Sequence, residues 1–117
     1  MSSFVDPTPR LVANLERDFQ KRVIVMVNWA RSQGVPLVVI SGVRTPAAQA
    51  RLIRAGRTTA VRSRHLTGRA VDVQVLGFTT AQLPAAFWNW LGSVGEAVGL
   101  TWGGRFTRVD LNHFQAS

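Results

Sequence analysis

The chain has 117 residues, of which 46% are hydrophobic and 17% charged, a composition that excludes a disordered polypeptide and allows one core of modest size. Cysteine is absent, so disulfides, thiolate metal sites and cysteine nucleophiles are excluded, and any metal must be held by His, Asp or Glu. The formal charge of +8 comes almost wholly from arginine, Lys21 being the only lysine, and it favours polyanionic partners without selecting among nucleic acid, anionic headgroups and cell-wall polymers. The first predicted element is a helix that Thr8 caps and Pro9 opens, with Leu11, Val12, Leu15, Phe19, Val23, Met26, Val27 and Ala30 as its apolar stripe. Gly34 and Pro36 end it. Leu37 to Val43 is a β-branched run with the pattern of a buried strand. Thr45-Pro46 restarts a helix through about Ala55, closed by Gly56, and Arg57 to Gly68 has no periodicity and reads as a loop. Arg69 to Val75 alternates strictly, so Val71, Val73 and Val75 share one face of a strand while Ala70, Asp72 and Gln74 take the other. Phe87, Trp88, Leu91, Val94 and Val98 recur at helical spacing from Thr80 or Pro84 to Val98, and Gly99 terminates that helix, which Gly92 and Gly95 weaken. Short strands near Leu100 to Trp102 and Asn112 to Gln115 complete the order α-β-α-β-α-β-β. This predicts an α+β domain over residues 1–117, with about three helices on a small, mainly antiparallel sheet.

The opening Met1-Ser2-Ser3-Phe4-Val5-Asp6-Pro7 lacks the basic and apolar regions of a secretory signal. The longest apolar stretches, Val23 to Val27 and Leu37 to Ile40, fall far short of the roughly 20 residues that span a bilayer. The expectation is a protein made in the cytoplasm, without a membrane span.

The chain holds two histidines, each near a carboxylate: His65 with Asp72, and His113 with Asp110. Two His and one Asp make the three-ligand set of a catalytic zinc site, which keeps a fourth position for water. Gly68 permits a turn that lets His65 and Asp72 converge. The remaining carboxylate, Asp110, is the candidate to take a proton from that water and return it to a leaving group. Taken singly, each histidine is more often a surface or hydrogen-bonded side chain than a ligand, and Asp72 is equally well explained as a turn or strand-edge carboxylate.

The surrounding residues shift that balance. Ser63-Arg64-His65-Leu66-Thr67-Gly68-Arg69-Ala70-Val71-Asp72 resembles the Ser-x-His-x-x-Gly-x-Ala-x-Asp motif of the D-Ala-D-Ala and L-Ala-D-Glu metallopeptidases. Trp102-Gly103-Gly104, followed by Asp110-Leu111-Asn112-His113-Phe114, is similar to that family's closing segment, and Ser41-Gly42-Val43-Arg44-Thr45 with Gln49 to its Ser-Gly-Tyr-Arg-Ser strand end and helix. The resemblance runs from about Ser41 to Gln115. It implies the hedgehog/D-Ala-D-Ala peptidase fold, one zinc ion (Zn2+) on His65, Asp72 and His113, and Asp110 as general base and acid. It further implies that Arg44 orients substrate or steadies an oxyanion, and that Ser63 and Gln49 hydrogen-bond to substrate or to the metal ligands. Trp102 is a candidate for the same supporting role. Two departures stand out: Asn112 where the family often has proline, and Val43 in place of an aromatic.

The function this resemblance implies is hydrolysis of an amide bond in the stem peptide of peptidoglycan, foremost by an L-Ala-D-Glu endopeptidase like those of bacteriophage lysins. Such a lysin is made in the host cytoplasm, reaches the wall after release and acts as a monomer, its positive charge assisting docking on anionic envelope polymers. A D-Ala-D-Ala carboxypeptidase would share every catalytic residue. A zinc-containing module that binds cell wall without catalysis, by analogy with the hedgehog signalling domain, is a further alternative, against which the presence of Asp110 argues. Specific nucleic-acid binding would need arginines gathered on one face with a recognition element, and neither is present in the sequence.

Overall fold

The computed structural model describes residues 4–42 and 68–117. The predicted helix from Thr45 to Ala55 and almost all of the predicted loop after it lie outside the described residues. Where one long N-terminal helix is predicted, two are found, α1 (Thr8–Val12) and α2 (Arg17–Ser32). The break has a local cause. The Glu16 side chain accepts from Asp18 N at 2.9 Å and so caps α2, while Glu16 N donates to Gly68 O at 3.0 Å instead of continuing a helix. Gly68 is at φ 70, where a Cβ would meet Asn14 O at 3.1 Å and Glu16 N at 3.2 Å, so the helix break seats the chain entering the second strand.

Thr8 also differs from its expected role. Pro7 stands at the N-cap of α1, Asp6 Oδ1 just before it accepts from Thr8 N at 2.9 Å, and the Thr8 hydroxyl instead accepts from Val39 N at 2.9 Å. Together with Arg31, whose Nε donates to Leu37 O at 2.9 Å, it covers the outer edge of the first strand and removes a free pairing edge.

The strands are β1 (Leu37–Ser41), β2 (Ala70–Val75), β3 (Leu100–Trp102) and β4 (His113–Ala116). They form one antiparallel sheet in the order β1-β2-β4-β3, which is the α+β fold expected from the sequence. Helix α3 (Ala85–Ala97) and α2 bury their apolar stripes against one sheet face, and Phe19, Val23, Met26, Trp88, Leu91, Val71, Val73 and Phe114 are all at most 1% exposed. Burial on this scale is the main favourable contribution to folding. Among the described residues, no helix is long and apolar enough to cross a membrane.

The two helix-weakening glycines have a packing reason. A Cβ on Gly92 would lie 2.3 Å from the Trp102 ring, and one on Gly95 would lie 2.5 Å from the Phe114 ring. Without side chains there, α3 rests directly on β3 and β4. Gly92→Ala is therefore expected to destabilise the protein by about 1–3 kcal/mol through overpacking, outweighing the gain of about 1 kcal/mol in helix propensity. Urea unfolding measures it, and an unchanged or raised midpoint would reject the packing argument.

Candidate metal centre

The face opposite the core carries the polar chemistry. Asp72 on β2 and His113 on β4 are direct partners in the sheet register. Ser41 on β1 is the partner of Asp72 on its other side, brought there by a register shift between Val39 and Ser41. The irregularity at Ile40 adds a residue to β1 and so returns Ser41 to the face of Asp72. Ser41, Asp72 and His113 thus form a row across three strands.

Asp110 joins the row from the turn before β4. Its backbone N donates to Gly103 O at 3.0 Å, and His113 N donates to Asp110 O at 3.2 Å, so the turn folds over Gly103. A Cβ on Gly103 would fall 2.3 Å from Asp110 O and 3.0 Å from His113 Cβ, so only glycine admits this approach. Trp102 Nε1 donates to Leu111 O at 2.8 Å and anchors the same turn from below. At 2% exposure Trp102 has no surface to offer a substrate, and its part is to support the turn. Asn112 clamps β4 to β2, its Nδ2 donating to Val73 O at 3.1 Å while its own O accepts from Val73 N at 2.9 Å. A proline there could not make the side-chain bond, which gives this departure from the family pattern a structural use.

His113 Nδ1 lies 3.2 Å from Asp72 Oδ1 and 3.9 Å from Asp110 Oδ2. Its Nε2 lies 2.9 Å from Gln115 Oε1, and the Phe106 ring packs at 5.7 Å between centroids. Burial pushes the His113 pKa down, but the hydrogen bonds to Asp72 and Gln115 and the charges of Asp72 and Asp110 together outweigh it and raise the pKa above its ordinary 6.5. The side chains differ in access: Asp72 is 20% exposed and His113 11%, whereas Asp110 is 54% exposed.

One donor atom from each of Asp72, Asp110 and His113 lies within 4.8 Å of the others. Two acceptor-only carboxylates and an imidazole nitrogen converging on one point favour a cation there, and nitrogen and oxygen donors of this kind suit zinc. The residues present therefore fit the metal. Of the residues singled out in the sequence, the fold brings together Asp72, Asp110 and His113 with Trp102 beneath them. Arg44, Gln49, Ser63 and His65 lie outside the described residues. Gln115, Ser41 and Phe106 belong to the site's surroundings and were not singled out, although Gln115 stands two residues from His113 on a strand and must share its face.

The family that the chain matches, together with the similar solved structures, makes it a metallopeptidase. A family model described as D-alanyl-D-alanine carboxypeptidase matches residues 56–116, more than half of the chain, and the chain belongs to that family. Among solved structures, the L-Ala D-Glu endopeptidase ChiX of Serratia marcescens is similar with a TM-score of 0.79 and 26% identity, over 97% of this chain and 89% of that one. A vancomycin-resistance D,D-pentapeptidase VanY in complex with Zn(II) has a TM-score of 0.68 at 19% identity, over 87% of this chain and 72% of that one. VanYB in complex with D-alanine-D-alanine gives 0.65 at 21% identity, over 87% and 71%. The last two speak for the fold alone. No curated protein sequence matches the chain.

Proposed function

We propose that the protein is a zinc-dependent peptidoglycan hydrolase that cleaves the L-Ala-D-Glu bond of the stem peptide, with one zinc ion held by His65, Asp72 and His113. The convergence of Asp72, Asp110 and His113 on the face opposite the core carries this reading. Identity of 26% with ChiX over 97% of the chain favours the endopeptidase. The description of the matching family favours D-Ala-D-Ala carboxypeptidase as the second reading.

Bound zinc would polarise the scissile carbonyl and lower the pKa of water toward about 7. Asp110, the most exposed of the three side chains, accepts a proton from the attacking water and delivers it to the leaving amine. Asp72 and His113, held by paired strands, keep their donor atoms fixed. Arg44 supplies a planar fork of N–H donors to the developing oxyanion, and Ser63 and Gln49 hydrogen-bond to substrate or to the ligands. In the same reading the protein is a lysin of the bacteriophage type that meets the wall after release.

Mass spectrometry of purified peptidoglycan digested with the zinc-loaded protein tests this. Expected are stem peptides with a newly free D-Glu amine. Release of D-Ala instead would select the carboxypeptidase, and a folded, zinc-loaded protein that cleaves nothing would leave a wall-binding module.

A further inference from the structure

We propose that the outer face of α2 docks the protein on the surface of a bilayer that contains anionic lipid. One face of α2 belongs to the core, where Phe19, Val23, Met26, Val27 and Ala30 are buried. The opposite face repeats the helical spacing with Lys21, Ile24, Val25, Asn28, Trp29 and Ser32, all of them exposed. Three of these are large and apolar: Ile24 is 39% exposed, Val25 54% and Trp29 51%. Val25 and Trp29 stand one turn apart with Ile24 beside them, so they form one apolar surface, the kind of feature that marks an interaction site. Next to Ile24 that surface continues into a hollow of about 360 Å³ between α1 and α2, lined also by Pro9, Val12, Ala13 and Val27.

The charge on the same face selects the partner. Helix α2 carries Arg17, Lys21, Arg22 and Arg31 against Asp18 alone. Arg22 engages Asp18 at 3.0 Å and Arg31 engages Asp6 at 2.8 Å, whereas Arg17 and Lys21 form no ion pair among the described residues. These two cations stand one turn apart and lead directly into Ile24 and Val25. An apolar surface bordered by cations matches the boundary between anionic headgroups and acyl chains, where Trp rings and the stems of Lys and Arg settle. A second copy fits poorly, because two-fold pairing sets this face against itself and cation against cation. A polyanion without apolar groups answers the charge but leaves Ile24, Val25 and Trp29 in water. Helix α2 covers the core side of the sheet, and Asp72 and His113 lie on the other side, so a bilayer held by α2 leaves the metal centre facing away from it.

The test is co-sedimentation of the purified protein at low salt with vesicles of phosphatidylglycerol and phosphatidylcholine in equal parts, and with vesicles of phosphatidylcholine alone. Wild type is compared with the double variants Arg17→Gln/Lys21→Gln and Val25→Gln/Trp29→Gln, with circular dichroism to show that each is folded. Expected is binding to the anionic vesicles only, weakened by added salt. Each cation near an anionic surface contributes about fivefold in affinity, so the first variant should bind about 10–30-fold more weakly. The second should lose at least about tenfold, because the apolar side chains no longer enter the interface. Wild type that ignores the anionic vesicles, or either folded variant binding them as wild type does, would overturn the inference. So would binding to soluble poly(glycerol phosphate) as tight as to the vesicles, which would give the face to a wall polymer. A wild-type dimer in sedimentation equilibrium that Val25→Gln/Trp29→Gln dissociates would give it to a second copy and overturn the inference as well. None of these outcomes depends on zinc or on peptide cleavage, so the proposed function stands or falls separately.

Discussion

Asp110→Asn is expected to keep its full complement of zinc and to lose about 10²–10⁴-fold in kcat, the usual contribution of a positioned general acid and base. The argument begins with access. Asp110 is 54% exposed, against 20% for Asp72 and 11% for His113, so it faces the side from which water and peptide arrive. It also sits on a turn instead of a strand, at 3.9 Å from His113 Nδ1 compared with 3.2 Å for Asp72. A ligand gains from rigidity, whereas a proton carrier must reach both the attacking water and the leaving amine. Asparagine keeps the size of the side chain and removes its basicity. Zinc content after dialysis, together with kcat and KM on a purified stem peptide, separates the possibilities. If zinc is lost, Asp110 is itself a ligand; if kcat is unchanged, it takes no part in the chemistry.

Two kinds of regularity made most of this architecture readable before the fold was known. Alternation from Arg69 to Val75 correctly put Asp72 on the face away from the valines, because a strand's period of two admits no other division. Helical spacing found α3, with its end at Gly99. What escaped was set by contacts distant in sequence. The stripe from Leu11 to Ala30 is compatible with one helix, and only the docking of Gly68 against Asn14 and Glu16 shows why it breaks. Thr8 has the chemistry of a cap, yet its hydroxyl is taken by Val39, 31 residues away. Gly92 and Gly95 read as weaknesses because propensity is local, whereas the rings that require them come from β3 and β4. In the site, motif spacing singled out Asp72, Asp110 and His113, but the contact of Gln115 Oε1 with His113 Nε2 at 2.9 Å emerges only in the fold.

Asp72→Asn is expected to abolish stable zinc binding, and with it activity, while the metal-free fold survives. Asparagine fills the same space opposite His113 in the register and can still hydrogen-bond to the ring, but it brings no negative charge to the metal. In the chelated protein two effects oppose each other: loss of the attraction between Asp72 and protonated His113, and relief of the repulsion between Asp72 and Asp110. Each is of order 1 kcal/mol for partly exposed groups, so the metal-free variant should melt within a few degrees of metal-free wild type. The difference emerges with zinc. At a zinc concentration 1,000 times Kd, wild type gains about 4 kcal/mol by mass action, which for a domain of about 100 residues raises Tm by more than roughly 10 °C. Asp72→Asn should show none of this rise at the same concentration. A zinc-induced shift equal to that of wild type would remove Asp72 from the ligand set, and a collapse of the metal-free variant would make it a residue of the fold before it is one of the metal site.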